Sequence, residues 1–406
     1  MTATTVPQVS EGRRLCAQTT EVDLPGHPAD LLEHLGADGV AWFADDVSFV
    51  TAGIAATVAP ADAAAVLATI ERDGDGPHAA AAPLAAGALP FDGGGLLAVP
   101  ATTVGLTAGG RAWTTTIGPA GGATPRAMTM APSRAPSRFT VEARPDARGW
   151  EQQVVAALAL IEAGAIQKVV LAREVEVAAD HPFDRADVLA LLLRHNRPGC
   201  IVYAHRGFVG ATPELLVTRH GSDVTSTPMA GSIPLGLEAD DDAVRALLTS
   251  AKQGVEHALL VRAVGETLAP FCTDVNVGSP EAVRLATVTH LATTVTATLR
   301  EAGTTALDLA LALHPTPAVG GTPRAGALDA IRRLESFDRG LYGGPVGWVS
   351  AGGDGEFAVA LRCALIDGAR ARLFAGAGIV AGSDPDAEWA ETQAKLEPML
   401  RALIRP

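Results

Sequence analysis

The chain has 406 residues, 48% hydrophobic and 19% charged, which is enough apolar material for a large core and excludes global disorder. With 31 basic against 45 acidic residues the formal charge is −14. That excludes a general nucleic-acid binder and a polybasic membrane-surface protein, both of which need a basic footprint. The length corresponds to two or three ordinary domains or to one large single-core fold. Cys16, Cys200, Cys272 and Cys363 show no CxxC pairing, so neither a disulfide framework nor a zinc site is expected, and the usage suits a reducing cytoplasm.

Met1–Pro7 has no charged region followed by an apolar one, so no secretory signal is expected. The longest uncharged stretch, Gly93–Gly110, is broken by glycines, threonines and Pro100, and does not read as a spanning helix. Both points lead to the expectation of a cytoplasmic protein. Residues 1–140 alternate short apolar runs with Gly/Pro punctuation, which predicts strands and turns with one helix around Ala61–Glu71. Gly121–Ser137 lacks a pattern and reads as a loop or linker. No internal repeat is visible, against a solenoid or propeller.

From Asp146 the patterns sharpen. The spacing predicts an amphipathic helix over Trp150–Gly164, then a strand through Gln167-Lys-Val-Val-Leu-Ala-Arg-Glu-Val-Glu-Val. A helix follows at Asp184–His195, strands at Cys200–Tyr203, Gly207–Gly210 and Leu215–Thr218, and a long helix at Asp240–Leu268. Helices are expected at His290–Arg300, Thr305–Leu313 and Gly326–Ser336, short strands with Gly turns between Leu341 and Gly382, and a final helix at Pro385–Ile404, opened by Ser383-Asp-Pro-Asp. The late strands look like hairpins, which favours an α+β fold with a large antiparallel sheet and helices packed outside it over a doubly wound parallel sheet.

Only three of the 31 basic residues are lysines: Lys168, Lys252 and Lys395. Where composition replaces lysine by arginine at ordinary surface positions, a surviving lysine is a candidate for a task arginine cannot do, such as giving up its proton; chance survival is the plain alternative. In the last helix Glu388, Glu391 and Lys395 stand at i, i+3 and i+7 and share a face, a pattern a solvated ion-paired surface also shows. Gln253 and Glu256 share a face of the long helix, and Glu256 with Glu391 would suit Mg²⁺, unless Glu256 is an ordinary surface charge. Lys168 within an apolar strand is either on a solvent face or buried as a base. Glu214, after Pro213, is either a turn residue or, in an apolar pocket, a general acid. Met229–Ser232 and Ala375–Gly378 read as Gly-rich loops that could approach an anion, or as plain hairpin turns. No Walker loop, complete dinucleotide fingerprint, HExxH or GxSxG occurs.

Taken together, these segments resemble the chorismate-utilising enzymes: isochorismate, salicylate, anthranilate and aminodeoxychorismate synthases. The resemblance runs from Trp150 onward. It rests on Gln167-Lys-Val-Val-Leu-Ala-Arg, Gly210-Ala-Thr-Pro-Glu-Leu-Leu, Pro228-Met-Ala-Gly-Ser, Ala251-Lys-Gln-Gly-Val-Glu-His and Thr289-His-Leu. It continues through Leu313-His-Pro-Thr-Pro-Ala-Val-Gly-Gly-Thr-Pro, Arg339-Gly-Leu-Tyr-Gly-Gly, Ala360-Leu-Arg, Ala375-Gly-Ala-Gly-Ile and Glu388-Trp-Ala-Glu-Thr-Gln-Ala-Lys-Leu. It implies an anthranilate-synthase-like chorismate-binding fold, with residues 141–406 as the catalytic region and residues 1–140 completing the same sheet.

By this resemblance Lys168 is the general base that activates water and Glu214 the general acid. Glu256 and Glu391 hold Mg²⁺, with Glu388 helping through water. Tyr342, Arg362, Lys395, Gly376 and Gly378 hold the substrate carboxylates, the backbone at Gly231 and Ser232 lines the site, and His290 lies near the reacting ring. Lys168 points to a water-using member, since ammonia-using relatives lack a lysine there. His314-Pro-Thr-Pro-Ala318-Val319 resembles the isochorismate type, whereas salicylate synthases have threonine at the position of Ala318. The implied activity is isochorismate synthase, with water attack at C2 of chorismate and loss of the C4 hydroxyl, a product used for menaquinone and for catechol or salicylate siderophores. Alternatives are salicylate synthase, an ammonia-using synthase with a separate amidotransferase subunit, and a non-catalytic chorismate-binding homologue. Gln253 departs from the family, where many relatives carry a carboxylate. The implied partner is chorismate alone, without nucleic acid or membrane, in a monomer or weak dimer.

Overall fold

The computed structural model describes residues 14–24, 26–119, 135–234, 244, 245, 247, 248, 251–284 and 288–404. Within them strand pairing is antiparallel throughout, apart from Leu15–Val22 beside Glu71–Asp73. Twenty of the described strands join through hydrogen bonds, and Met229–Pro234, Glu281–Arg284 and Val288–Ala292 form a small sheet of their own.

The large sheet has two arms. The first runs from Phe139–Arg144 through Lys168–Ala179, Arg370–Val380, Cys363–Asp367, Phe208–Thr212 and Ile201–His205. It continues through Val40–Phe43, Val47–Val58, Leu97–Thr107 and Ala112–Pro119 to Leu15–Val22. The second leaves Leu97–Thr107 through Leu84–Ala88 and continues to Pro345–Ser350, Gly355–Val359, Leu215–His220, Asp223–Ser226, Val295–Leu299 and Cys272–Val277. Strands from the first 119 residues therefore pair with strands from far later in the chain at two places.

Both arms contribute to one aromatic core, with Trp42, Phe49, Trp113, Tyr203, Phe208, Trp348 and Phe374 buried together. Phe49 meets Trp348 edge-on at 6.1 Å. Each fully buried side chain of this size contributes about 1.5–3 kcal/mol relative to exposure. Two further apolar clusters lie under the helices. Ala147–Glu162, Ala306–Leu313 and Arg324–Leu334 pack into one, and Arg185–Asn196 and Pro385–Leu403 into the other. Four of these five helices begin at side-chain caps, Arg324–Leu334 being the exception: Asp146 accepts from the Gly149 amide, Asp184 from the Ala186 amide, Asp384 from the Ala387 amide, and Thr305 with Asp308 forms a reciprocal capping box.

The architecture is the expected α+β arrangement around a large antiparallel sheet, with some elements corrected. His290–Arg300 is not a helix but parts of two strands, Val288–Ala292 and Val295–Leu299. Its run of Thr and Val side chains packs on pleated neighbours better than on a helix. The helix near 61–71 is a single 3₁₀ turn, Pro60–Asp62, followed by Ala63–Ala68, and Glu71 already begins a strand. Met229–Ser232 and Ala375–Gly378 are not loops; both lie within strands. The long helix is described over Ala251–Leu268. The expected linker Gly121–Ser137 lies outside the described residues except for its last three positions. Among the described residues no helix is long and apolar enough to cross a membrane.

Candidate active site

The site begins with one strand pair. Lys168–Ala179 lies antiparallel to Arg370–Val380, with Lys168 opposite Val380, Val170 opposite Gly378 and Ala172 opposite Gly376. Side chains alternate along a strand, so Val169, Leu171, Ala377 and Ile379 go into the core, while Lys168, Val170, Gly376 and Gly378 line a cavity on the other face. The missing side chains at the two glycines are what leave room there. A Cβ at Gly378 would lie 3.0 Å from Lys168 Cε and 3.2 Å from Glu256 Oε1, and one at Gly376 would lie 2.8 Å from the Tyr342 hydroxyl.

The second element is the helix Pro385–Leu403. Glu388, Glu391 and Lys395 face the same cavity, and Leu396, Met399, Ala402 and Leu403 face the core. Lys395 Nζ donates to Glu391 Oε1 at 2.5 Å and to the carbonyl of Gly376 at 2.9 Å. Arg173, fully buried on the strand that carries Lys168, anchors this helix. Its guanidinium lies 3.8 Å over the Trp389 ring and donates to Thr392 Oγ1 at 2.7 Å and Gln393 Oε1 at 2.6 Å. Burial brings its pKa down to about 10.

Glu256, on the helix Ala251–Leu268, reaches into the cavity and accepts from Lys168 Nζ at 2.5 Å. Glu214 enters from the turn after Phe208–Thr212, and its main chain is fixed by two hydrogen bonds. Its amide donates to Thr212 Oγ1, and its carbonyl accepts from Val359 N. Burial pushes its carboxyl up to about 8, although Lys168, Arg362 and Lys395 pull the other way. It is therefore protonated near neutral pH.

Across the cavity Arg362 donates to His290 Nε2 at 3.0 Å. Burial, reinforced by Arg362 and Lys395, holds His290 well below its ordinary pKa, so it is a neutral acceptor. Arg362 has φ 49°, a left-handed conformation that costs a non-glycine residue about 1–2 kcal/mol. Tyr342 stacks on Phe374 with ring centroids 5.5 Å apart. A buried ion pair supports this wall: Arg339 binds Glu335 and donates to the carbonyls of Val170 and Val319, while Glu335 accepts from the amide of Ala172.

The structure thus brings Lys168, Glu214, Gly231, Glu256, His290, Ala318, Tyr342, Arg362, Gly376, Gly378, Glu388, Glu391 and Lys395 to one cavity. The side chains of Ser232 and Gln253 lie outside the described residues; the backbone of Ser232 pairs with His290. Lys168 differs from the free amine a base requires, being ion-paired with Glu256. Sequence reasoning did not single out Arg173, Trp389, Phe374 or the Glu335–Arg339 pair. Arg173 alone carried a signal, a charge among the apolar residues of a central strand.

Formally three cations (Lys168, Arg362, Lys395) and three carboxylates (Glu256, Glu388, Glu391) surround a protonated Glu214 and a neutral His290. Such a cavity suits an anionic ligand on which acid–base chemistry is done. The chorismate binding enzyme family matches residues 123–404, and the chain belongs to that family. Isochorismate synthase DhbC of Bacillus subtilis is 41% identical over 278 residues, covering 65% of this chain and 70% of the relative. The structure of MenF, the menaquinone-specific isochorismate synthase of Escherichia coli, superposes with a TM-score of 0.83 at 26% identity, covering 99% and 97% of the two chains. Anthranilate synthase component I of Streptococcus pneumoniae shares the fold, with a TM-score of 0.66 at 20% identity over 99% of this chain and 95% of that one.

Arg173→Met would remove both hydrogen bonds and the ring contact that hold the last helix. We expect a loss of about 3 kcal/mol in denaturant unfolding. A loss under about 1 kcal/mol would mean that the helix is held elsewhere.

Proposed function

We propose that this chain is an isochorismate synthase, converting chorismate to isochorismate. The observation that carries the reading is Glu214, a carboxyl kept protonated by burial and facing the same cavity as Lys168. Lys168 enters from a strand and Glu214 from a turn between two others, so acid and base approach from separate elements. The relatedness to isochorismate synthases points to the same reaction. Residues 141–406 carry every proposed site residue, and residues 1–140 complete the sheet around them.

Chorismate is a dianion and the chain is net negative, so attraction has to be local. Arg362, Lys395 and the open floor at Gly376 and Gly378 receive the carboxylates. Tyr342, the backbone at Gly231 and Ser232, and Ala318 shape the wall, and His290 holds Arg362 in place. Mg²⁺ fits the donors present: Glu256, Glu388 and Glu391 offer carboxylate oxygens to one cavity, and this cation takes one or two such ligands together with water and an anionic substrate group. When bound it supplies positive charge that balances the substrate's.

Lys168 acts as an amine, so its pair with Glu256 opens before the reaction. It takes a proton from water as the oxygen bonds to C2. The ring double bond shifts, the C4–O bond breaks, and Glu214 gives its proton to the departing hydroxyl, which leaves as water. One water enters and one departs, so the reaction is an isomerisation. Lys168 and Glu214 then return to their starting states by exchanging protons with solvent.

Each general catalyst contributes roughly 10²–10⁴-fold. Lys168→Ala and Glu214→Gln are expected to lower turnover at least about a hundredfold with an unchanged circular dichroism spectrum, when products are separated chromatographically. Near-normal activity in either purified variant contradicts the roles. The wild type should give isochorismate without pyruvate, whereas salicylate and pyruvate would reassign the chain to salicylate synthase. Because Glu214 must be protonated, kcat/KM is expected to fall as pH rises through about 8; a profile that stays flat well past that pH rules Glu214 out as the acid. Chelation should abolish activity and added Mg²⁺ restore it, and full activity after thorough chelation would remove the metal from the reaction.

A further inference from the structure

A second polar cluster lies apart from the cavity and takes no part in the chemistry above. Asp46 is in the turn between Val40–Phe43 and Val47–Val58, His220 closes the strand Leu215–His220, and Glu356 lies on Gly355–Val359. One ligand atom from each of these three side chains lies within 4.8 Å of the other two. His220 Nε2 is 3.9 Å from Glu356 Oε1. Asp46 and His220 are open to solvent, while Glu356, at 6% exposure, forms the floor.

Three features distinguish this cluster from a chance meeting of surface charges. First, Glu356 is a buried carboxyl whose pKa burial raises, against the indoles of Trp42 and Trp348 and the nearby His220. Oε2 accepts from the Trp42 indole at 2.8 Å, and Oε1 faces His220. A carboxylate out of water is costly unless a cation or donors compensate it. Among the described residues neither Asp46 nor Glu356 is ion-paired with lysine or arginine; each faces a histidine. The nearby Arg219 is directed at Asp354, 3.8 Å away.

Second, both carboxylates are oriented from outside the cluster. Trp42 holds Glu356, and His78 Nε2 lies 3.1 Å from Asp46 Oδ2. Ligating carboxylates are commonly hydrogen-bonded in this way by residues outside the metal's own ligands. Third, the donor set is one imidazole nitrogen and two carboxylate oxygens with a solvent-facing side. That leaves coordination positions for water. The imidazole favours first-row transition cations over Mg²⁺ and Ca²⁺, which take oxygen ligands.

We propose that Asp46, His220 and Glu356 form a binding site for one divalent first-row transition cation of the zinc type. Such a cation ties the turn at Asp46 to two strands of the sheet's second arm, one of which continues past Val359 into Arg362 of the cavity.

The test uses the full chain, stripped with chelator, exchanged into buffer with Mg²⁺ in excess and titrated with ZnCl₂ by calorimetry. The variants are Asp46→Asn and His220→Ala, both at exposed positions where the fold should survive. Wild type is expected to bind one Zn²⁺ that each variant binds at least tenfold more weakly, and Zn²⁺ should raise the melting temperature of wild type but not of His220→Ala. With CoCl₂ as the probe, wild type should show visible ligand-field bands that His220→Ala lacks. Zinc affinity and stoichiometry unchanged in both variants would overturn the proposal, as would a wild type that binds no zinc.

Discussion

Eleven consecutive register pairs join Lys168–Ala179 to Arg370–Val380, and most of the site depends on that register. A slip of one residue would turn Lys168 and Val170 into the core and bring Val169 and Leu171 to the cavity. The register is fixed from several sides. Arg339 and Glu335 bind the backbone at Val170 and Ala172, Lys395 binds the carbonyl of Gly376, and Arg173 fastens the last helix to the same strand. The apolar face of the pair, sealed into the core, gives each of these contacts a fixed base.

The electrostatics of the cavity follow from that placement. Charged groups gathered in a confined, largely dehydrated space stay together only if they nearly cancel. Here the ammonium groups of Lys168 and Lys395 each hold a glutamate, while burial keeps Glu214 protonated and His290 neutral. Under the proposed function, a dianion entering such a balanced space would be accommodated by positive charge entering with it, which would give the carboxylate-rich side of the cavity a physical reason. The arrangement also gives Glu214 and Lys168 different environments: burial raises the carboxyl's pKa, and the amine is ion-paired with Glu256.

Much of this was legible in the sequence where the signal is local. The i, i+3, i+7 spacing placed Glu388, Glu391 and Lys395 on one helix face, and the scarcity of lysine pointed to Lys168, Lys252 and Lys395, of which Lys168 and Lys395 line the cavity and the side chain of Lys252 lies outside the described residues. The Ser383-Asp-Pro-Asp start signal placed the beginning of the last helix at Pro385, where it is observed. Elements whose identity depends on a distant partner were less legible. The run around His290 became strands because Met229–Pro234 and Glu281–Arg284 stand ready to pair with it. The glycines at 376 and 378 looked like a turn, because their use, making room for Lys168 and Tyr342, appears only when another strand and another loop are brought beside them. Arg173 carried a signal but its partners Thr392 and Gln393 lie roughly two hundred residues on, and the Glu335–Arg339 pair, only four residues apart, was missed because the backbone it holds at Val170 and Ala172 is distant.

The same strand pair has a consequence in time. Its two members are separated by roughly two hundred residues of chain, which a ribosome adds in roughly 10–40 s. Through that interval the edge of Lys168–Ala179 that will meet Arg370–Val380 has no partner of its own. An apolar strand edge left open this long is a place where a nascent chain can pair with a neighbour instead. Arg173, Glu174 and Glu176 place three charges in that strand, and charge on an open strand discourages such pairing while the rest of the sheet is being made.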